Sequence, residues 1–357
     1  IFLIKGIKIS KYSFFCIFTF LLFLIITYLN YKYISIDLDY ASDKLKQLVI
    51  LFLFFLIPVL IPFDSNLLKG FLKITFYFNI LFFILLIIFY RETIIDSLLQ
   101  GIRFGTKNVN PIWIARILGE NIIISLYIIK NNQYKIIIIL THLFLMITTG
   151  SKGPIFILIL LLIYLFIQRS SVINISFKEM VMRWLKIGLY VVIIIIFARF
   201  TINLIGWDFI YSRLYSESNY ANNGRINRYI ETIYYFFESP IFGIGFGNWG
   251  FYFNNYFGRS YPHNLFLEIL SELGIIGTFP ILLILLCGLM KIIKLNRTIN
   301  YMDIRTIIFS KEKILMLLYL YFLLNSMLSG DLGLANKELF VYLGIITGLI
   351  INKEKYL

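Results

Sequence analysis

The sequence predicts an all-α polytopic membrane protein of about ten transmembrane helices, with one large external loop containing short helices. Three observations predict it. The chain is 60% hydrophobic and 15% charged, with a mean hydropathy of +0.85, whereas soluble domains sit at roughly 45–50% apolar and about 25% charged. Apolar runs long enough to cross about 30 Å of hydrocarbon as helices recur from one end of the chain to the other. Only one long stretch, 206–262, replaces Ile, Leu and Phe with Gly, Asn, Ser and Tyr.

In chain order the runs fall at roughly 14–34, 47–63, 71–90, 112–130, 134–149, 154–168, 185–205, 274–294, 313–329 and 337–351. They divide the chain into residues 1–205 with helices one to seven, the large loop 206–262, and residues 263–357 with helices eight to ten. Lys5 to Lys11 followed by an apolar run resembles the start of a signal peptide. The run ends in Asn30-Tyr31-Lys32 without a small-residue cleavage site, so it reads as an uncleaved first helix. The chain starts at Ile1 and not Met, which leaves room for residues, or a further span, ahead of it.

Orientation follows from the basic residues. The segments on the side of the N-terminus carry the larger share of Lys and Arg, although the opposite loops are longer in total. The positive-inside rule then places both termini in the cytoplasm and the 206–262 loop in the periplasm or outside the cell. The net charge of +14 is largely this bias, and it suits contact with anionic membrane lipids. No long basic tract or RNA-type aromatic motif argues for nucleic acid. Cys16 and Cys287 both lie inside spans, where they pack as small apolar residues. His142 and His263 have no partners at ligand spacing for a zinc site.

Function is expected in the polar loop, because irregular backbone in hydrocarbon cannot be satisfied except by protein. Within it, Phe242 to Gly250 read FGIGFGNWG, and Gly245, Gly247 and Gly250 match the G-x-G-x-x-G spacing of a dinucleotide loop. That fingerprint needs a strand before it and a βαβ frame around it. An external loop between helices offers neither, so the match reads as coincidence and no cofactor is expected. Closely spaced glycines nevertheless allow backbone N–H groups near an anion such as a pyrophosphate.

A wider window, NNGRINRYIETIYYFFESPIFGIGFGNWG followed by YPHNLFLEILSELGIIG, carries a resemblance. Gly224-Arg225, Pro240, the Gly243/Gly245/Gly247 run, His263-Asn264 and Glu272-x-Gly274 leading into a span are similar in order to the O-antigen ligase and O-antigen polymerase superfamily of bacterial cell envelopes. The likeness covers roughly residues 110–295. Thr149-Gly150-Ser151-Lys152-Gly153 resembles the family's Thr-x-Ser-Arg-Gly segment, with Lys152 in place of arginine and therefore a point charge in place of a planar fork.

The resemblance implies an undecaprenyl-pyrophosphate-linked oligosaccharide as donor. Its glycan goes to a sugar hydroxyl on another lipid-linked repeat unit (polymerase) or on the lipid A core (ligase), without metal, and a chain-length regulator is a conceivable partner. Polymerase is favoured by the modest length and by the Ile, Phe, Lys and Asn bias, which is associated with surface-polysaccharide or capsule gene clusters.

Such a transfer needs a proton acceptor for the attacking hydroxyl and positive charge at the departing pyrophosphate. His263 and Arg225 are the expected catalytic residues. A helix beginning near Tyr261, with Pro262 in its first turn, would put His263 at a positive dipole end and keep it neutral. Arg228, three residues after Arg225, would share a helix face with it and help clamp a diphosphate. Lys152, Gly243, Gly245, Gly247, Asn264, Arg199, Arg116 and Glu272 complete the expected substrate-binding set. Arg116 also reads as an i,i+4 pair with Glu120 inside one span, Glu272 either as an orienting group for His263 or as a hydrogen-bond partner of a neighbouring helix end, and His142 as an interhelical hydrogen bond.

Two rival readings remain open. Asp37 and Asp39, in the first external loop, fit a metal-dependent glycosyltransferase using polyprenyl phosphate, whose activity a chelator would abolish. A lipid-linked glycan transporter also suits a basic polytopic chain, but no paired half-sequence repeats or matched broken helices are evident.

Overall fold

The computed structural model describes residues 9–61, 63–100, 103–105, 109–171, 217–299 and 310–349. The run at 185–205, Arg199 within it and the start of the polar loop lie outside the described residues. Eleven helices follow in order among the described residues: α1 (Lys11–Tyr33), α2 (Leu38–Leu60), α3 (Ser65–Gln100), α4 (Pro111–Ile128), α5 (Asn132–Thr148), α6 (Lys152–Ser171), α7 (Glu217–Glu238), α8 (Trp249–Asn254), α9 (Leu265–Ile299), α10 (Lys311–Leu328) and α11 (Lys337–Gly348). A 3-10 turn, Leu334–Asn336, precedes α11.

Many of these helices begin where a short polar side chain takes up an orphan N–H. Ser10, Asp37, Asn110, Asn131 and Ser310 cap α1, α2, α4, α5 and α10 through the backbone N–H of Ser13, Tyr40, Ile112, Gln133 and Lys313. The Asp37 cap corrects the expected start of the second span, because α2 begins at Leu38 and not near 47. Its first turns read as loop in the sequence since Asp39, Asp43, Lys44 and Lys46 interrupt the apolar run. α3 is also longer than expected and is kinked at Tyr90.

Four described helices are long and apolar enough to cross a membrane: α1, α4, and the greater parts of α3 (Ser65–Ser97) and α9 (Leu265–Asn296). α5 and Lys152–Leu165 of α6 are apolar but shorter. The expectation of about ten crossings thus goes beyond these four. α1 packs on α9, α2 on α11 and α4 on α5, with α10 lying against α4, α6 and α9. Phe20, Phe52, Phe55 and Phe340 interlock at the α1–α2–α11 seam, with Phe20 stacked on Phe52 and Phe55 at 5.2 and 5.3 Å. His142 forms its expected interhelical bond, to Asn121 at 2.9 Å, and stacks on Phe83. Cys16 and Cys287 are buried and free.

Hydrogen bonds between helix ends and connections gather at two places among the described residues. At one end Ser13 bonds to the Thr347 carbonyl and Lys291 to the Thr347 and Leu349 carbonyls. At the other end the α1–α2, α8–α9 and α10–α11 connections meet: Asp37 accepts from the Gly258 N–H, and Arg259 pairs with Asp331. The α3–α4 and α5–α6 connections are joined there by the Phe104 N–H donating to Thr148. The described part of the polar segment, from residue 217 on, meets that second end through Gly258 and Arg259.

Candidate functional site

The site is built on a break in α9. Gly274 has φ +62°, which interrupts the helix and frees backbone groups on both sides of the break. The loop 240–245 satisfies them. The N–H groups of Ile275 and Ile276 donate to the Pro240 and Ile241 carbonyls, and the carbonyls of Ser271 and Glu272 accept from Ile244 and Gly245. The two backbones approach so closely that a Cβ at Gly243 would lie 2.3 Å from the Glu272 carbonyl carbon, and one at Gly274 2.4 Å from the Ile241 oxygen. Both positions also have positive φ, so glycine is required there on two counts.

This geometry reassigns the glycine run. The N–H groups of Gly243, Gly245 and Gly247 are bonded to the Ser239 carbonyl, the Glu272 carbonyl and the Glu272 carboxylate. The intervening N–H of Phe246 goes to Asn30 Oδ1. Donors spent on protein acceptors cannot cradle a pyrophosphate, so the run anchors the loop to α1, α2 and α9. Among the described residues there is no strand of the kind a dinucleotide loop needs.

Beneath the loop lies a buried ionic cluster. Lys44 reaches Glu268 at 2.5 Å and Glu272 at 2.6 Å, with all three side chains at most 2% exposed. Glu272 also accepts from the Gly247 N–H, Glu268 accepts from Leu332 N–H, and Phe246 covers the ammonium at 4.9 Å. One cation therefore ties α2, α9, the glycine loop and the α10–α11 connection together. Glu272 serves that cluster and makes no bond to His263, so of its two expected roles the structure gives the bond to neighbouring elements and not the orienting one.

His263 lies just before α9. The helix starts at Leu265 and not near Tyr261, with Asn264 as its cap: the amide oxygen accepts from Leu267 N–H at 3.0 Å, and the carbonyl from Glu268 N–H. Pro262 is therefore outside the helix, and the side-chain oxygen of Asn264 is used in capping. His263 itself has φ +64°, a left-handed conformation uncommon for a residue with a side chain. Its ring packs edge-on against Tyr261 at 4.5 Å, and its Nδ1 is buried with no hydrogen-bond partner.

Burial above all, then the charges of Arg228 and Arg225, push the imidazole pKa down to about 4. The base is neutral at pH 7, as expected, but from burial and arginines and not from a helix dipole. Arg225 and Arg228 stand three apart on α7, as expected. Arg228 donates to the Tyr261 carbonyl at 2.9 Å and lies over the rings of Trp249 and Phe253. Arg225 is exposed and forms no ion pair with the described residues.

Trp249 is fully buried, donating to Thr232 and packing with Tyr235 and Ile244. It belongs to the core beneath Arg228.

Arg116 does not pair with Glu120. Its guanidinium donates to the carbonyls of Asn325, Ser329 and Ala335, holding the α10–α11 connection, while Glu120 accepts from Asn79 and Tyr342. Asp37 spends both oxygens on the N–H groups of Tyr40 and Gly258. Lys152 opens α6 at the same end of the bundle.

A cavity of about 490 Å³ adjoins these residues, lined by Trp113, Arg116, Arg259, Tyr261 and Lys337 among others. Arg259, Asp331 and Lys337 did not stand out in the sequence as site residues. Arg259 had no motif around it, and the other two lie some seventy residues further on, beyond the segment that carries the resemblance.

Comparison with curated proteins gives no match. Residues 137–282 match the family described as O-Antigen ligase. The matched segment takes in Lys152, Arg225, Arg228, the glycine loop, His263 and the break in α9. With its long apolar helices the chain has the character of an integral membrane protein, and its central segment, residues 137–282, is similar to the O-antigen ligase family.

Proposed function

We propose that the protein is a polysaccharide polymerase of the bacterial cytoplasmic membrane, transferring an undecaprenyl-pyrophosphate-linked glycan to a hydroxyl of another lipid-linked repeat unit outside the cytoplasm. The observation that carries the reading is the pairing of a buried, neutral, unpartnered imidazole at His263 with Arg225 and Arg228 close enough to depress its pKa. His263 takes the proton of the acceptor hydroxyl. The freed oxygen attacks the anomeric carbon of the donor, and the bond from that carbon to the diphosphate oxygen breaks. The electron pair leaves with undecaprenyl diphosphate, whose charge Arg225 stabilises directly.

An incoming diphosphate would offset the two arginines and raise the basicity of His263 as the reactants assemble. Arg228, held by the Tyr261 carbonyl and two rings, adds charge and fixes the 255–264 loop. Lys152 is assigned to the donor side and Arg116 to the wall of the cavity. The polar segment faces the periplasm or exterior, both termini face the cytoplasm, and any chain-length regulator would engage the assembly from outside the site.

Deleting the gene and separating surface glycan on a gel tests this directly. A single repeat unit attached to its anchor is expected. Long chains stranded on the lipid carrier would mean the ligase reaction, and an unaltered ladder would remove both.

A further inference from the structure

The transfer chemistry leaves the cavity unexplained, since His263, Arg225 and Arg228 do not line it. Its volume of about 490 Å³ falls within the roughly 300–1,000 Å³ typical of small-ligand sites. Arg116, Arg259 and Lys337 contribute to the wall, and no carboxylate does. The nearby acids are held by wall residues: Glu338 accepts the Trp113 indole N–H at 3.0 Å, and one oxygen of Asp331 takes both Nε and Nη2 of Arg259, which leaves Arg116 and Lys337 as the wall cations without a carboxylate partner among the described residues. Neither Arg116 nor Lys337 forms an ion pair among the described residues, and the buried Nε of Arg116 has no acceptor. The Lys337 ammonium lies 4.8 Å from the Trp113 ring centre. The cavity is thus cationic with aromatic side chains in its wall, a combination that suits an anionic, ring-shaped ligand.

Tyr261 connects this space to the reacting groups. Its ring lines the cavity and contacts the imidazole of His263, while Arg228 fixes its carbonyl.

We infer that the cavity is the acceptor subsite and that it takes an acidic saccharide, a sugar carrying a carboxylate held by Lys337 with its ring beside Trp113 and Tyr261. The acceptor role rests on the glycan-transfer reading; the preference for a carboxylated sugar is read from the cavity alone. The donor diphosphate is a second source of negative charge. It is disfavoured here because the arginines that act most strongly on His263 are not in the wall.

The test is equilibrium binding to the purified full-length protein in detergent, followed by tryptophan fluorescence. The probes are glucuronate, glucose and inorganic pyrophosphate, applied to the unaltered protein, Lys337→Gln and His263→Ala. Glucuronate should bind saturably, glucose far more weakly, and Lys337→Gln should weaken glucuronate about ten- to a hundredfold, as loss of one charge-assisted hydrogen bond does. His263→Ala should keep glucuronate binding, which separates occupancy of the cavity from transfer. Equal binding of glucose and glucuronate, no binding of either, or indifference to Lys337→Gln would overturn the inference. So would pyrophosphate that displaces glucuronate and loses affinity in Lys337→Gln to the same extent. Glucuronate binding without any transfer by the unaltered protein would keep the acidic-sugar site and remove the proposed function.

Discussion

His263 combines three features that seldom coincide on one side chain: a left-handed backbone, a buried ring nitrogen with no partner, and two arginines close enough to depress its pKa. Its lowered pKa fixes the sign of the pH dependence. The free enzyme holds a neutral base at all pH values above about 4, so kcat/KM should be level through the neutral range and fall only as pH drops toward 4. An acid limb centred near the ordinary histidine value of about 6.5 would show that burial and the arginines do not act on the catalytic group. His263→Ala should lower kcat by about 10²–10⁴-fold, the usual yield of general-base catalysis. Arg225→Ala should cost about 10²–10³-fold if its charge stabilises the leaving group. Both variants should remain in the membrane at normal levels. The imidazole and Arg225 were legible in the sequence because each sits in a short motif. Arg259 and Lys337 were not, since their placement depends on the α8–α9 and α10–α11 connections folding over the same end of the bundle.

At the scale of elements, the break in α9 and the glycine loop form one unit, each satisfying the backbone of the other. Gly243→Ala would impose positive φ on alanine and press a methyl group against the Glu272 backbone, at a cost of about 2–6 kcal/mol. Thermal unfolding in detergent should show a lower midpoint, with glycan transfer falling in proportion to folded protein. Lys44→Met leaves Glu268 and Glu272 buried without their cation, a change worth about 3–5 kcal/mol, and the same measurement should detect it. A midpoint unchanged in Lys44→Met would mean that the cluster does not hold these elements together. The sequence marked the glycines and Glu272 but suggested different work for them, because spacing alone does not reveal which acceptors receive the N–H groups. Lys44 was hidden for a related reason: a charged residue ahead of an apolar run reads as loop until Asp37 is seen to cap a longer helix.

For the whole molecule, the gathering of polar connections at one end follows the periodic apolar runs, which is why the fold class was legible. The number of crossings was less so, because buried polar side chains and kinks at Tyr90 and Gly274 blur where hydrocarbon begins. Sidedness can be tested with the cysteines. Cys16 and Cys287 are buried, so Asn255→Cys adds an exposed thiol at the site end. A membrane-impermeant maleimide should label it in intact cells, or after only the outer membrane is opened. Labelling confined to inside-out vesicles would invert the topology.

The central claim, that the imidazole and arginines at this end join lipid-linked glycans, is tested most directly by incubating the purified protein with a single lipid-linked repeat unit. The account predicts a longer lipid-linked glycan, an equivalent of released undecaprenyl diphosphate, and neither product from His263→Ala. Equal product from His263→Ala, or none from the unaltered protein, would contradict it.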